Sequence, residues 1–126
     1  PISTLFPYPT LVRSTVLILG LPTRDGWHCY RASLAGEEVA CGAMLVAGKV
    51  ALLGLDATLP VARGHGCQSA LITRRLIDAT KAGCESVVAE VFDADLAGRA
   101  AVSNLKRIGF EEIPATLTWR RPTGIA

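Results

Sequence analysis

The sequence predicts an α/β domain of the α+β type, in which a mixed, mostly antiparallel central sheet carries helices on both faces. Three short β-compatible runs, joined by glycine-bearing turns, follow one another over residues 27–59, and this arrangement is typical of an antiparallel meander. Helical and strand-like segments then alternate, so that the whole order is β-β-β-α-β-α-β-β. That order indicates one mixed sheet against which the helices pack.

The composition fits one domain with one hydrophobic core. The chain has 126 residues, of which 50% are hydrophobic and 19% are charged, so it buries enough apolar surface to offset its conformational entropy. Thirteen lysines and arginines against eleven acidic residues leave a net charge of +2, with no basic block. This balance argues against nucleic acid and membranes as partners. We expect residues 1–126 to form a single domain.

The cysteines and the absence of a long apolar run predict a cytoplasmic protein. No apolar run reaches the roughly 18 residues that a membrane span needs. The cysteines show no C-x-x-C spacing, and a small secreted chain would carry a denser disulfide framework. Free buried thiols are the favoured interpretation, and a bridge between Cys29 and Cys41 across a hairpin is the alternative. No grouping of cysteine and histidine has zinc-site spacing, so we expect no metal.

The first half of the chain is predicted to form the meander. Four prolines punctuate residues 1–26, which end in a turn at Arg24-Asp25-Gly26; within them, residues 11–21 fit a strand or a short helix. The strands that follow are Trp27–Leu34, Val39–Val46 and Val50–Leu59. The third is apolar almost throughout, which is expected of a central strand buried on both faces.

The second half is predicted to alternate helices and strands. Helical spacing of four, three and four residues separates Ile72, Leu76, Ala79 and Gly83, which predicts a helix from Gly66 to Ala82 that Gly83 ends. Its opposite, polar face is predicted to hold Arg74, Arg75, Asp78 and Lys81. The remaining elements are a strand at Ser86–Phe92, a helix at Leu96–Arg107 ended by Gly109, and strands at Phe110–Ile113 and Thr116–Arg120.

The junction between the third strand and the first helix is the most informative segment. A buried strand leads into a loop with Gly64 and Gly66, and the loop leads directly into the helix. The first helical turn has backbone N–H groups without intrahelical partners, and the helix dipole adds partial positive charge there. Glycines let the backbone approach a ligand closely, so the junction suits a phosphate group. A glycine-rich connection that serves only tight packing is the alternative.

This junction resembles the pyrophosphate-binding loop of the GNAT superfamily of N-acetyltransferases, Arg/Gln-x-x-Gly-x-Gly/Ala. Arg63 and Gly66 match its first and fourth positions, whereas Gln68 stands where a small residue is usual. The segment Asn-Leu-Lys-Arg-Ile-Gly-Phe at 104–110 is similar to the family's closing helix and Gly-Phe turn. Residues 116–121 are similar to the terminal strand of a bacterial branch. The resemblance covers residues 27–122.

The resemblance implies a GNAT-like acyl-CoA acyltransferase fold and direct transfer of an acetyl group from acetyl-CoA to an amine of a small molecule or a peptide. It implies that the pantetheine arm pairs with the backbone of Asp56, Ala57 and Thr58. It places Asn104 at the cofactor as well, and the pyrophosphate on the loop formed by Arg63, Gly64, His65, Gly66, Cys67, Gln68 and Ser69. Because the family's last strands often form dimer contacts, a homodimer through the C-terminal strands is also implied.

The catalytic residues are predicted less directly. Asp56 is the candidate general base because it lies beside the implied cofactor path, and a carboxylate satisfied by backbone donors is the alternative. Where the family commonly has a tyrosine as the acid, this chain has Leu105, and where it often has an asparagine this chain has Gly98. Asn104 or Ser103 is the candidate replacement for the acid.

These departures keep a second hypothesis open, a catalytically impaired acyl-CoA-binding or interaction domain on the same fold. A purely structural partner subunit is the third, although it needs no phosphate-binding loop. The family's usual N-terminal strand and two helices correspond to only 26 irregular residues here. We therefore expect a truncated acceptor pocket, or a chain that is the C-terminal part of a longer or tandem protein.

Overall fold

The computed structural model of the chain describes residues 24–91 and 96–113. Within them, the elements in chain order are β1 (Trp27–Leu34), β2 (Glu37–Ala47), β3 (Val50–Thr58), α1 (Cys67–Lys81), β4 (Ser86–Ala89) and α2 (Leu96–Ile108), and a 3₁₀ turn, Pro60–Ala62, precedes α1. The sheet has the order β1-β2-β3-β4, with β1–β2 and β2–β3 antiparallel and β3–β4 parallel. This confirms the predicted mixed, mostly antiparallel sheet with helices.

Short hairpins join the first three strands. Ala35 and Gly36 connect β1 to β2 with φ of 51° and 83°, the backbone that a type I′ turn requires. Leu34 consequently pairs with Glu37 and Ser33 with Glu38, so β2 begins before the predicted Val39. The predicted turn before β1 is also present, with the Trp27 N–H donating to the Arg24 carbonyl at 3.3 Å.

Glycines end both helices, as predicted. Gly83 and Gly109 have φ of 84° and 112°, the left-handed backbone that closes a helix. The Phe110 N–H donates to the Leu105 carbonyl at 3.0 Å, and Phe110 packs against the core. The predicted strand at 110–113 is therefore wrong within the described residues, since the Phe110 N–H caps α2. Its predicted partner, Thr116–Arg120, lies outside the described residues.

The core lies between α1 and the sheet. Ile72 and Ala79 of α1 pack against Met44, Ala51 and Leu53 of the strands. Arg75 also belongs to this face and is completely buried, at 0% exposure. Its predicted place on the polar face is wrong, because a carboxylate and a carbonyl beneath the helix satisfy its charge.

The edge of β3 is open over its second half. β4 pairs only with Val50–Leu53 of β3, and β4 ends at Ala89 instead of the predicted Phe92. Leu55 is 37% exposed, so the prediction that β3 is buried on both faces is wrong. The two strands separate beyond Leu53, and this separation creates the candidate site.

The cysteines form no disulfide. In the hairpin, Cys29 pairs with Ala43 and Cys41 pairs with Arg31, so the two thiols are diagonal neighbours, not opposite ones. Burial raises the pKa of the Cys41 thiol. No helix in the described part of the chain is long and apolar enough to cross a membrane.

Candidate functional site

A cleft of about 740 Å³ opens where β3 and β4 separate. One wall is the second half of β3, and the opposite wall comes from the end of β4 and from α2. The loop at 60–66 and the first turn of α1 close one end. The predicted strand residues Asp56, Ala57 and Thr58 all line this cleft.

A bulge distorts β3 at the cleft. Ala43 of β2 pairs with Gly54 and Cys41 pairs with Ala57, so Leu55 and Asp56 together stand opposite Gly42. Leu55 has φ of 58°, a left-handed conformation that costs a non-glycine residue about 1 to 2 kcal/mol. A bulge bends the strand and interrupts its ladder. It therefore reshapes the backbone that faces the cleft.

An ion pair holds the bulge from beneath. The Arg75 Nη1 and Nη2 groups donate to the two carboxylate oxygens of Asp56 at 2.7 and 2.6 Å. Nη1 also donates to the Ala43 carbonyl at 2.9 Å, and Nε donates to the Leu71 carbonyl at 3.1 Å. Asp56 is only 26% exposed at its side chain. Bidentate pairs of this kind are among the strongest hydrogen-bonded contacts in proteins.

Gly42 leaves the space that this pair occupies. A Cβ atom at this position would lie 2.8 Å from the Asp56 Oδ1 atom and 2.9 Å from the Arg75 Nη1 atom. Both distances are shorter than a carbon atom tolerates, and the guanidinium is fully buried. A side chain at Gly42 would therefore displace the ion pair.

The glycine loop presents open backbone to the cleft. Gly64 and Gly66 have φ of 78° and 79°, and a Cβ atom added to either would meet nothing within 4 Å. Gly66 is the N-cap of α1, and no side chain caps the helix there. The N-terminal end of α1 thus offers backbone N–H groups and the positive end of its dipole.

The loop side chains divide into two groups. Arg63, Cys67, Gln68 and Ser69 line the cleft, as do Gly64 and Gly66. His65 instead folds back, and its Nδ1 atom lies 3.2 Å from the Ala62 carbonyl and 3.0 Å from the Arg63 carbonyl. A protonated Nδ1 donates to these oxygens, so the ring supports the loop. Cys67 is buried in the core beside Leu71.

Polar side chains link the two helices across the cleft. The Asn104 Nδ2 group of α2 donates to the Gln68 Oε1 atom of α1 at 2.7 Å, and Arg107 donates to the Asn104 Oδ1 atom. Both ends of the Asn104 amide are therefore engaged. Gln68 departs from the small residue usual in the loop pattern, and here it supplies the partner for Asn104. Leu105 lines the cleft and packs against the core.

Sequence reasoning missed the roles of Arg75 and Arg107, which line the cleft, and of Gly42, which stands opposite the bulge. Arg75 had a detectable signal, because it lies at helical spacing from Ile72 and Ala79 on the apolar stripe of α1. Gly42 carried no local signal, since only contacts from β3 and α1 explain it. Arg107 is an exposed residue in the last turn of α2, where a basic residue is ordinary.

Comparison with solved structures places this site in a known fold. No protein-family model and no curated protein matches the sequence. The aminoglycoside N-acetyltransferase AAC(6′)-Iy in complex with CoA aligns with a TM-score of 0.71 and 16% identity, over 89% of this chain and 88% of that chain. The chain has the GNAT acetyltransferase fold.

Further solved structures support the same GNAT fold. A putative acetyltransferase from Agrobacterium tumefaciens aligns with a TM-score of 0.69 and 18% identity, over 84% of this chain and 76% of that chain. The aminoglycoside acetyltransferase meta-AAC0020 from an uncultured soil metagenomic sample, in complex with sisomicin, aligns with a TM-score of 0.67 and 15% identity. That match covers 89% of this chain and 87% of the other. The predicted resemblance to the GNAT fold is confirmed.

Proposed function

We propose that the chain is an N-acetyltransferase that moves the acetyl group of acetyl-CoA directly to an amine. The observation that carries this proposal is the cleft between β3 and β4, bordered by the glycine loop and the uncapped end of α1. AAC(6′)-Iy, which shares the fold, has been solved in complex with CoA. A long, narrow cofactor with a pyrophosphate suits an open strand edge that ends at a helix N-terminus.

In the proposed binding mode, the pantetheine arm lies along the backbone of Asp56, Ala57 and Thr58. The pyrophosphate accepts hydrogen bonds from the backbone N–H groups of residues 64–69. Arg63 lines the cleft with an exposed side chain, and its guanidinium is the cation nearest in sequence to this loop. A charge-assisted contact to phosphate from that position would strengthen binding.

In the proposed chemistry, the amine nitrogen attacks the thioester carbonyl carbon, the C–S bond breaks, and CoA leaves as the thiolate. The new ammonium loses one proton, and the thiolate gains one. Leu105 cannot donate that proton, and the amide of Asn104 is held by Gln68 and Arg107. Water is therefore the simplest proton source for the thiolate.

Asp56 remains the predicted general base, as a hypothesis with its own test. Its carboxylate already accepts two hydrogen bonds from Arg75. If Asp56 takes the proton from the amine, Asp56→Asn removes the rise of the rate with pH when the rate is measured at saturating acetyl-CoA. A variant that keeps the full pH profile excludes Asp56 as the base.

The acceptor is proposed only as an amine, of a small molecule or a peptide. AAC(6′)-Iy and meta-AAC0020, which share the fold, are aminoglycoside acetyltransferases, so aminoglycosides belong in a panel of trial acceptors. The second candidate function is acyl-CoA binding without turnover. Leu105, in the place of the usual acid, favours it.

Calorimetry with CoA, read beside thiol release from acetyl-CoA across the amine panel, tests both functions. We expect CoA to bind and at least one amine to release thiol. Binding without thiol release from any amine would favour the acyl-CoA-binding domain. Absence of CoA binding would contradict both.

A further inference from the structure

We propose that Arg75 is a positioning residue, which shapes the cofactor-binding edge of β3 by clamping Asp56 at the bulge. The inference rests on the proposed function, because that edge is where the pantetheine arm is proposed to bind. Under this proposal, α1 has two functions, of which the first is to present its N-terminus to the pyrophosphate. The helix would hold the phosphate end of the cofactor and also fix the strand that receives the other end.

The bulge and the ion pair require each other. Side chains of a regular strand alternate between faces, so residues an odd number of positions apart point to opposite faces. Leu53 packs in one cluster with Ile72 of α1, and Asp56 also reaches α1 through Arg75. Both residues point to the helix only because the bulge inserts an extra residue between them. In a regular ladder, the Asp56 carboxylate would face away from Arg75.

The buried charge makes this requirement strict. Arg75 is 0% exposed, and its four hydrogen bonds end on Asp56, Ala43 and Leu71. A buried guanidinium without a counter-charge is strongly destabilising. In a regular ladder, Asp56 would face away from α1, and Arg75 would be buried without a counter-charge. The pair therefore selects the bulged register and holds Leu55 in its left-handed conformation.

Gly42 completes the arrangement. The residue opposite the bulge must lack a side chain, since a Cβ atom there would meet Asp56 and Arg75 at less than 3 Å. The backbone of Gly42 does not have positive φ, so no local turn explains the glycine. Space for the ion pair explains it.

Arg75 is fully buried, whereas the Asp56 side chain is 26% exposed. Replacing both partners of such a pair with apolar residues leaves no unpaired buried charge and costs little stability, so a double variant can test positioning without unfolding the protein. We suggest the double variant Arg75→Met/Asp56→Leu, with Arg74→Met as the matched control. Arg74 is the neighbouring arginine on α1, and its side chain is 63% exposed. The measurements are the unfolding temperature, amide hydrogen exchange of residues 54–58 without ligand, and CoA affinity by calorimetry.

We expect the double variant to fold with a Tm within a few degrees of the parent's. Its amides at 54–58 should exchange about tenfold faster, because local opening is no longer opposed by the pair. CoA should bind about tenfold to a hundredfold more weakly, the order of loss that one or two misaligned hydrogen bonds produce. Arg74→Met should match the parent in all three measurements. A double variant with the parent's exchange at 54–58 and the parent's CoA affinity would overturn the proposal.

Gly42→Ala provides a second route if the double variant does not fold. It keeps both charged groups but displaces them, so it should also speed exchange at 54–58 and weaken CoA binding. Parent-like values for Gly42→Ala would contradict the proposal. If the parent itself does not bind CoA, the proposed function fails, and the exchange of residues 54–58 still decides whether Arg75 shapes this edge.

Discussion

At the scale of single residues, Leu105 decides how the proposed reaction proceeds. It lines the cleft at the position where a proton donor is common in GNAT enzymes, and it packs against the core near Phe110. Because the Leu105 side chain is aliphatic, it cannot protonate the departing CoA thiolate in the proposed reaction. Thiolates are tolerable leaving groups near neutral pH, so this loss would slow the proposed reaction without preventing it.

Leu105→Tyr is expected to raise the rate of acetyl transfer. General acid catalysis contributes about a hundred- to ten-thousand-fold where the donor reaches the leaving group, and Leu105 is only half-buried beside the cleft. Thiol release under saturating acetyl-CoA measures the effect. Leu105→Phe is the matched control, because it adds the ring without the hydroxyl. Equal rates for the two variants would mean that the phenol does not act as the acid.

At the scale of elements, the loop and the first turn of α1 form the proposed pyrophosphate-binding unit. Gly64 and Gly66 turn the chain so that the backbone of the helix start faces the cleft. His65 donates back to the loop carbonyls and stiffens it. Gln68 ties the same turn to Asn104 of α2, so the loop is held from both sides.

Gly66→Val is expected to weaken CoA binding by about 1 to 3 kcal/mol, the cost of lost charge-assisted hydrogen bonds. A Cβ atom at position 66 would have no protein atom within 4 Å. The side chain would instead enter the space where the pyrophosphate is proposed to lie. Valine also strains the left-handed backbone. Calorimetric titration with CoA measures the loss.

Gly36→Val is the control for that strain. Gly36 has φ of 83°, also has nothing within 4 Å of an added Cβ atom, and lies in the β1–β2 turn, apart from the residues that line the cleft. It should lose stability as Gly66→Val does and keep its affinity for CoA. If Gly36→Val and Gly66→Val bind CoA with equal affinity, the loop does not belong to the cofactor site.

At the scale of the whole molecule, Arg75 and Asp78 of α1 form side-chain hydrogen bonds with the sheet. Arg75 joins α1 to β2 and β3, and Tyr30 of β1 donates to the Asp78 carboxylate at 2.9 Å. Burial and the bond to Asp78 raise the pKa of Tyr30 to about 12. The hydrogen bond from Tyr30, with Arg74 nearby, lowers the pKa of Asp78.

These shifts predict how global stability depends on pH. The ordinary pKa of tyrosine is 10.0, so the stability that the Tyr30 phenol contributes is complete below pH 10 and is lost as the pH rises to about 12. Tyr30→Phe should flatten this alkaline decline. At the acid end, the contribution of Asp78 is present above its ordinary pKa of 3.8 and is lost as the pH falls through the lowered value.

Urea unfolding of the parent and of Tyr30→Phe, followed from pH 8 to about pH 12, measures the alkaline effect. Arg74→Met is the control, because it removes the other partner of Asp78 and keeps the phenol. It should retain the parent's decline. Parallel curves for the parent and Tyr30→Phe would show that the phenol does not link folding to pH.

What we predict for the two ends of the chain stays a prediction. The irregular region before Arg24 and the strand at Thr116–Arg120 with its dimer contacts rest on the sequence, because residues 1–23 and 114–126 lie outside the described residues. The GNAT fold was predicted from the resemblance over residues 27–122, which the glycine loop and the Gly-Phe turn carry. Glycine-bearing turns, strand alternation and helix ends act over a few residues, so a single sequence reveals them.

The sequence by itself therefore determined the hairpins, both helices with their glycine ends, and the glycine loop that leads into α1. Only the tertiary structure decided that Arg75 is buried, that Asp56 faces α1 across a bulge, and that Gln68 binds Asn104. Each of these features depends on partners far apart in the chain. A charged residue is stable in the interior only where a counter-charge meets it, and the register of a strand is set by the neighbours with which it pairs.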